Sequence, residues 1–170
     1  MRTYSLSILS ALIFSTVGAF GQKTWNYTDQ ENRFTISYPR EWKKVSQGKK
    51  SAAKFVASKA EGGRVPACAI LSIWPNDIGE PLDSVTYRFM KELRRSGNKI
   101  SEGGETHING ERYYHFLALI DNSLESILSK YYLASKGGKT YVLRLMANPA
   151  DKFPLYEAKF EQIINSLSLH

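Results

Sequence analysis

The sequence predicts a single α+β domain in which helices pack on a largely antiparallel sheet. Short runs that alternate apolar and polar residues recur along the chain and indicate half-buried strands. At two places the apolar period changes to that of an amphipathic helix. With 170 residues, of which 42% are hydrophobic and 23% charged, the chain can form one sizeable core but is too short for two comfortable domains.

The apolar pattern places each strand and its turns. The predicted strands are residues 34–38, 53–57, 66–74, 105–119, 127–135 and 140–147, the fourth of these being a hairpin. Asn109-Gly110 lies inside that hairpin between alternating flanks, where a two-residue turn favours this pair. Pro39 ends the first strand, and Gly62-Gly63 and Gly137-Gly138 mark two further turns.

Two helices are predicted, one inside the series of strands and one after it. The first carries apolar side chains at helical spacing: Leu82, Val85, Phe89 and Leu93. Pro81 near its start and Arg94, Arg95 and Gly97 at its end agree with the polarity of a helix. The second is expected to open at Asn148-Pro149 and to carry one apolar face: Tyr156, Phe160, Ile163, Ile164 and Leu167.

The chain has one cysteine, Cys68, which excludes an internal disulfide and any CxxC zinc or redox site. Cys68 lies in the continuous apolar run of residues 66–74, so we interpret it as a small core residue of a central strand. A nucleophilic role would need a neighbouring base and an exposed, electropositive niche, and the sequence indicates neither.

The first 21 residues have the layout of a secretory signal peptide. Arg2 supplies a positive charge, residues 5–20 form an uncharged and mostly apolar run, and Ala19 and Gly21 are small residues suited to cleavage before Gln22. A membrane anchor is the competing interpretation, but the run is shorter than the roughly 20 apolar residues of a spanning helix. We therefore expect residues 22–170 to form one exported domain, periplasmic or secreted, with no transmembrane span after cleavage.

The histidines do not form a predicted metal or catalytic site. Around a two-residue turn His107 pairs with Arg112 and His115 pairs with Gly104, so the two imidazoles lie on opposite faces of the hairpin. No GxSxG, GxGxxG, P-loop or calcium-loop pattern occurs. The sequence predicts no catalytic residue, no metal site and no cofactor, and an envelope enzyme with an unrecognised site is kept as an alternative.

Positive charge is concentrated in residues 40–59, which contain seven Lys and Arg residues and one acid, while the whole chain has a net charge of +7. We predict that this basic segment docks on an anionic partner, either an acidic protein face or a component of the cell envelope. The residues predicted to bind are Arg40, Lys43, Lys44, Lys49, Lys50 and Lys54. The alternative is a solvated lysine loop that keeps an exported domain soluble. Nucleic acid is a poor partner for an exported chain.

Several motifs resemble those of a known family. Residues 34–42, FTISYPREW, resemble the F-x-I-x-Y-P-x-x-W opening of the PsbP-like family, and the Ile108-Asn109-Gly110 hairpin is similar to its middle. The ending is similar to the family's Y-x-L…F…F-x-x-I-I-x-S-F close, carried here by Tyr141-Val142-Leu143, Phe153, Phe160 and residues 163–167. The resemblance covers residues 25–168. Its motifs are core positions of strands and helices, so they inform the fold more than the function.

The resemblance implies an antiparallel sheet sandwiched by helices and a non-catalytic module that acts by binding proteins. The best-known member is the extrinsic subunit that helps photosystem II retain calcium and chloride, so a photosystem II accessory of this type is one alternative. Leu167 replaces the family's usual Phe, and no long chloroplast transit segment or lipoprotein cysteine is visible. These departures favour a bacterial periplasmic or secreted relative.

Overall fold

The alternation of apolar and polar residues along the chain produces a fold dominated by strands. The structure is a computed structural model and describes residues 23–48, 51–76, 80–101 and 103–170. The strands within these ranges are β1 Thr24–Asp29, β2 Phe34–Pro39, β3 Lys43–Lys44, β4 Ala53–Glu61, β5 Arg64–Pro75, β6 Lys99–Ile100, β7 Gly104–Ile108, β8 Glu111–Asp121, β9 Ser126–Lys136, β10 Lys139–Ala147 and β11 Ser168–Leu169. The helices are α1 Leu82–Arg95 and α2 Phe153–Ser166, the latter preceded by a 3-10 turn, Ala150–Lys152.

The larger of two sheets has eight strands, all paired antiparallel. Its order is β3-β4-β5-β10-β9-β8-β6, and β7 also pairs with β8. The β7–β8 turn follows the prediction, since Asn109 and Gly110 both have positive φ angles (51° and 82°), as a type I′ turn requires. The resulting register pairs Ile108 with Glu111 and His107 with Arg112, which confirms the predicted register of the hairpin.

The smaller sheet, β1-β2-β11, lies over one edge of the larger one. The ring of Tyr27 in β1 stacks on Phe55 of β4 with centroids 5.6 Å apart, and Tyr38 of β2 is 5.4 Å from the same ring. The small sheet and α2 together cover one face of the large sheet, because α2 packs against β2, β5 and β10. The main core lies between these layers and includes Phe34, Trp42, Leu143 and Phe160.

The other face of the large sheet carries α1. Its apolar stripe forms a second, smaller cluster with Phe116, Leu133 and Val142 of the sheet. Phe89 is the aromatic residue of this stripe, and its ring lies 5.4 Å from that of Tyr131. The domain is therefore an α+β fold in which a largely antiparallel sheet is sandwiched by helices, which confirms the predicted class.

The structure differs from the sequence prediction in its short strands and in the bounds of the second helix. Four short strands, β1, β3, β6 and β11, are additional, and they form by pairing with β2, β4, β8 and β2, respectively. α2 begins at Phe153, after the 3-10 turn, and not at Asn148-Pro149 as predicted, and it ends at Ser166, one residue before Leu167, which adopts an extended conformation. Leu167 is still buried in the main core, so its apolar character is explained by packing although it is not helical.

Candidate partner-binding surfaces

The basic segment is divided by the alternation of β3. Lys44 pairs with Ala57, whose side chain faces the main core, whereas Lys43 pairs with Ser58 on the opposite face of the large sheet. Lys54 lies at an irregularity of β4, between Ala53 and Phe55, where the simple alternation is interrupted. The described lysines of the segment therefore lie on two surfaces rather than one.

The remaining cations of the segment have different surroundings. Lys49 and Lys50, also predicted to bind the partner, lie outside the described residues. The amine of Lys59 is 3.6 Å from the Glu61 carboxylate, so part of its charge is balanced within the domain. Partner binding by the six residues named in the sequence analysis, which do not include Lys59, stays a prediction. The fold determines which of the six lie on the same surface.

Arg40 and Lys44 lie on two aromatic rings at the edge where the two sheets overlap. The guanidinium carbon of Arg40 is 4.7 Å from the centroid of Trp25, and the amine of Lys44 is 4.0 Å from that of Tyr27. These distances are typical of cation–π contacts. Trp25 remains 51% exposed, so much of its ring is accessible to a partner. We call Trp25, Tyr27, Arg40 and Lys44 the edge patch.

The positive charge of the edge patch is not neutralised by the described residues. No described carboxylate lies within 4 Å of Arg40 or Lys44. The adjacent acid, Glu41, is instead bound to Lys159 at 2.6 Å. Burial would raise the pKa of Glu41, but the hydrogen bond and charge of Lys159 outweigh that effect and lower it. Glu41 therefore stays ionised and paired, while the two cations on aromatic rings face solvent.

Sequence reasoning found the cations of this patch but missed their aromatic partners. Trp25 and Tyr27 alternate with polar residues in β1, so a period of two was present in the sequence. The run is short, and its inner face is covered only because β1 pairs with β2 over β4. Which cation each ring meets depends on that pairing and cannot be deduced from the spacing of residues along the chain.

A second group of polar side chains lies in a cleft of about 270 Å³ between α2 and the β7–β9 region. The amine of Lys130 is 2.9 Å from the carboxylate of Glu161. His115 stacks on Tyr132 with ring centroids 5.8 Å apart and an angle of 29° between the ring planes. The Nδ1 atom of His115 is buried and has no described hydrogen-bond partner. These four residues form what we call the polar cleft.

The protonation states in the polar cleft are set by burial and by the ion pair. Burial and the nearby charge of Lys130 lower the pKa of His115, outweighing the opposite effects of Glu161 and the Gly104 carbonyl. Burial would lower the pKa of Lys130, but hydrogen bonds with Tyr132 and Glu161 raise it. At neutral pH the histidine is therefore neutral and the lysine charged. A nucleophilic lysine would need the opposite, a lowered pKa.

The faces of the two hairpin histidines and the burial of Cys68 agree with the sequence predictions. His107 and His115 alternate to opposite faces of the hairpin, as expected, because His107 pairs with Arg112 and His115 with Gly104. Cys68 is 7% exposed, and burial raises the pKa of its thiol to about 11 despite the nearby charge of Arg144. Its interpretation as a buried residue of a central strand is confirmed. No three His, Cys, Asp or Glu side chains of the described ranges cluster as metal ligands would.

A comparison with family models matches the PsbP family over residues 22–169. No curated protein sequence matches the chain. In the part of the chain that the structure describes, neither helix combines the length and hydropathy needed to cross a membrane.

Solved structures share the fold at low sequence identity. Cyanobacterial PsbP (CyanoP) from Synechocystis is 18% identical with a TM-score of 0.62, covering 93% of this chain and 99% of its own. The Ran-binding protein Mog1p of Saccharomyces cerevisiae is 9% identical with a TM-score of 0.58, covering 87% and 96%. LpqN of Mycobacterium tuberculosis, involved in cell envelope biogenesis, is 17% identical with a TM-score of 0.57, covering 88% and 87%.

Proposed function

The chain belongs to the PsbP family, and we propose that it is an exported accessory protein that binds an acidic partner protein through the edge patch. The family and the fold support a non-catalytic accessory module in general. The proposal of export is supported by the signal-like pattern of residues 1–21, which lie outside the described residues.

One observation carries the proposal: a half-exposed tryptophan lies under an arginine that no described carboxylate neutralises. Tryptophan, tyrosine and arginine are the residues that contribute most to protein interfaces. The two aromatic residues bury a large area and lose little conformational entropy. Here Trp25 already orders Arg40, and Tyr27 orders Lys44. An acidic partner would gain charge pairing from side chains whose positions are largely fixed before binding.

Protein binding is also known for another chain of this architecture. The yeast structural neighbour is a Ran-binding protein. At 9% identity this likeness concerns the fold alone, so it supports binding as the kind of activity and says nothing about the partner. The photosystem II alternative rests on family membership and is tested directly by the identity of whatever protein is captured.

The experiment places a photo-crosslinking residue, benzoylphenylalanine, at position 25 of the chain from Gln22 to His170. A matched bait carries it at position 124, where Leu124 is 94% exposed in the loop between β8 and β9. Both baits are irradiated with solubilised envelope of the host, and crosslinked proteins are identified by mass spectrometry. We expect a partner crosslinked from position 25 and absent from position 124.

Affinity for the identified and purified partner is then measured with two double variants. Arg40→Glu with Lys44→Glu is expected to weaken binding at least tenfold and to flatten its dependence on salt. Lys99→Glu with Lys152→Glu makes the same change of charge at exposed positions away from the patch and should preserve binding. Equal loss in both double variants would mean that net charge, and not the edge patch, determines binding, and the proposal would be wrong.

A further inference from the structure

Among the described residues, no helix covers one half of the second face of the large sheet. α1 packs on β8 and β9 and reaches Val142 of β10. The register beside it aligns side chains in rows across β4, β5 and β10. We call the following residues of this half the open face: Lys43, Val45, Val56, Ile70, Arg144 and Met146.

Arg144 lies at the boundary between the open face and the part of the sheet that α1 covers, because it pairs with Tyr131, which packs against Phe89 of α1. On β10 it pairs with Ile70 on one side and with Tyr131 on the other. Its Nε donates a hydrogen bond to the Ser129 hydroxyl at 3.0 Å, and its guanidinium carbon is 5.7 Å from the centroid of Tyr131. These contacts fix the orientation of the guanidinium plane and leave its terminal nitrogens without a described hydrogen-bond acceptor.

The surroundings of Arg144 lack the anion that such a group normally has. Its side chain is half-buried, yet no described carboxylate lies within 4 Å of it. The open face contains no acidic residue, and its second cation is Lys43. Buried charges are ordinarily paired, because removing an unpaired charge from water is costly. The planar fork of arginine fits a carboxylate with two parallel hydrogen bonds.

The row that leads to Arg144 is apolar. Val45 is aligned with Val56 by a backbone hydrogen bond of 2.8 Å, and Val56 pairs with Ile70 next to Arg144. Val45 is one of the exposed large apolar side chains of the domain. The surface thus offers an apolar stripe that ends at a fixed cation. Complementing it requires apolar groups and a carboxylate on the same face of one ligand.

The width of the open face fits one helix. The four strands β3, β4, β5 and β10 are separated by three spacings of about 4.8 Å, which makes the face about 14 Å wide. A helix with its side chains is about 10–12 Å across. α1 stands about 10 Å above the sheet beside this face, so a flat lipid bilayer would meet the helix before it reached Arg144. A partner helix could instead lie on the sheet next to α1.

We propose that the open face binds an acidic amphipathic helix of a partner protein, with a carboxylate of that helix on Arg144 and its apolar side chains on Val56 and Ile70. The helix extends the α1 layer over the uncovered strands. The open face is on the opposite side of the large sheet from Lys44 and the rings of the edge patch. The two surfaces can therefore be tested with separate variants, and failure of one leaves the other untouched.

The test selects ligands from random 16-residue peptides displayed on phage, using the chain from Gln22 to His170. Each round includes counter-selection on Arg144→Gln. We expect enriched peptides to carry Asp or Glu among apolar residues spaced three and four apart. The best peptide should bind Arg144→Gln about 30-fold more weakly, the lower range for breaking a desolvated charge pair. Its amide chemical shift changes should centre on Ile70, Arg144 and Met146.

Two matched variants make the result decisive. Lys152→Gln removes an exposed cation on the 3-10 turn and should leave peptide affinity unchanged. Arg144→Lys keeps the charge but loses the planar fork, and should give intermediate affinity. Amide spectra of the free variants establish that each is folded before affinities are compared.

Four outcomes would overturn the proposal. Failure to enrich any peptide, or enrichment of peptides that bind Arg144→Gln as tightly as the unmodified chain, would remove Arg144 as a recognition residue. Chemical shift changes confined to the edge patch would place the peptide on the other surface. Arg144-dependent binding to vesicles of phosphatidylglycerol and phosphatidylcholine, without peptide binding, would assign the face to a membrane.

Discussion

The two faces of the large sheet are built from the same strands but differ in how far other layers of the fold cover them. β10 shows the contrast within one strand: Leu143 and Leu145 are fully buried beneath α2 and the small sheet. Their neighbours Val142 and Arg144 point to the other face, where Val142 is buried near α1 and Arg144 is only half-buried. One face is covered along its length, and the other is covered only where α1 lies.

This difference shows that strand alternation determines which side chains share a face, while the layers above determine whether that face is core or surface. The covered face accommodates aromatic side chains from both sheets and α2. On the second face, an aromatic side chain (Tyr131) is followed by a cationic one (Arg144) on the neighbouring strand, at the boundary of the area that α1 covers. The same periodic pattern therefore produces a packed core in one half of this face and a partly exposed surface in the other.

The largest expected difference between the two faces is in the free energy of unfolding that is lost when an aromatic side chain of each helix is truncated. Phe160 of α2 is 1% exposed and meets Trp42 edge to face at 6.0 Å. We expect Phe160→Ala to lower the free energy of unfolding by about 3–5 kcal/mol, because it creates a cavity in the main core. Phe89→Ala in α1 should cost about half as much, since Phe89 is only partly buried. Urea denaturation measures both, and equal losses would contradict the contrast.

The thiol of Cys68 tests whether a small side chain in the open half is shielded. A pKa of about 11 leaves a thiolate fraction at pH 8 roughly two hundredfold below that of an ordinary cysteine. We expect reaction with an aromatic disulfide reagent to be at least about tenfold slower in the native protein, because burial lowers both the thiolate fraction and the access of the reagent. Reaction in urea at the same pH serves as the control. A native rate close to the denatured one would show that Cys68 is accessible and its pKa ordinary.

Removing the charge of Arg144 should affect stability in the direction opposite to a core mutation. Since Arg144 is half-buried without a described carboxylate, we expect Arg144→Leu to raise the free energy of unfolding by about 1 kcal/mol. The measurement is urea denaturation of the free protein. A loss of more than about 1 kcal/mol would mean that Arg144 holds the fold together through Ser129 and Tyr131, and would weaken its assignment to binding.

The smallest expected effect concerns pH and the polar cleft on the covered face. The pKa of His115 is lowered in the folded state from its ordinary value of 6.5. Between the lowered pKa and about pH 6.5, His115 therefore binds more protons in the unfolded chain than in the folded protein. Stability from this group is complete above pH 6.5 and is lost as pH falls toward the lowered folded pKa. Glu41 and Glu105, whose pKa values are also lowered, act in a more acidic range, below 4.5.

His115→Phe keeps a ring against Tyr132 and removes the titration. We expect the melting temperature of the unmodified protein to fall more between pH 7.5 and 5.5 than that of His115→Phe. Calorimetry at both pH values provides the comparison. Identical pH dependence would show that His115 is as readily protonated in the folded state as in the unfolded chain.

Much of the framework was predictable because it depends on local chemistry. Asn109-Gly110 fixes the hairpin and its register, since both residues adopt positive φ angles there. The stripe containing Val85 and Phe89 identifies α1, and the continuous apolar run around Cys68 identifies a buried strand. In these segments the side-chain period is long enough to specify both the element and its buried face.

The candidate surfaces were only partly predictable. The concentration of positive charge in residues 40–59 and the recurrence of apolar side chains at strand and helix periods can be read directly from the sequence. The separation of Lys43 and Lys44 onto opposite faces, and the contact of Lys44 with Tyr27, come from the tertiary structure. They could not be predicted because β3 has two residues and no apolar period of its own. Its register, and hence the direction of each lysine, is set by hydrogen bonds to β4, whose partners lie more than ten residues away along the chain.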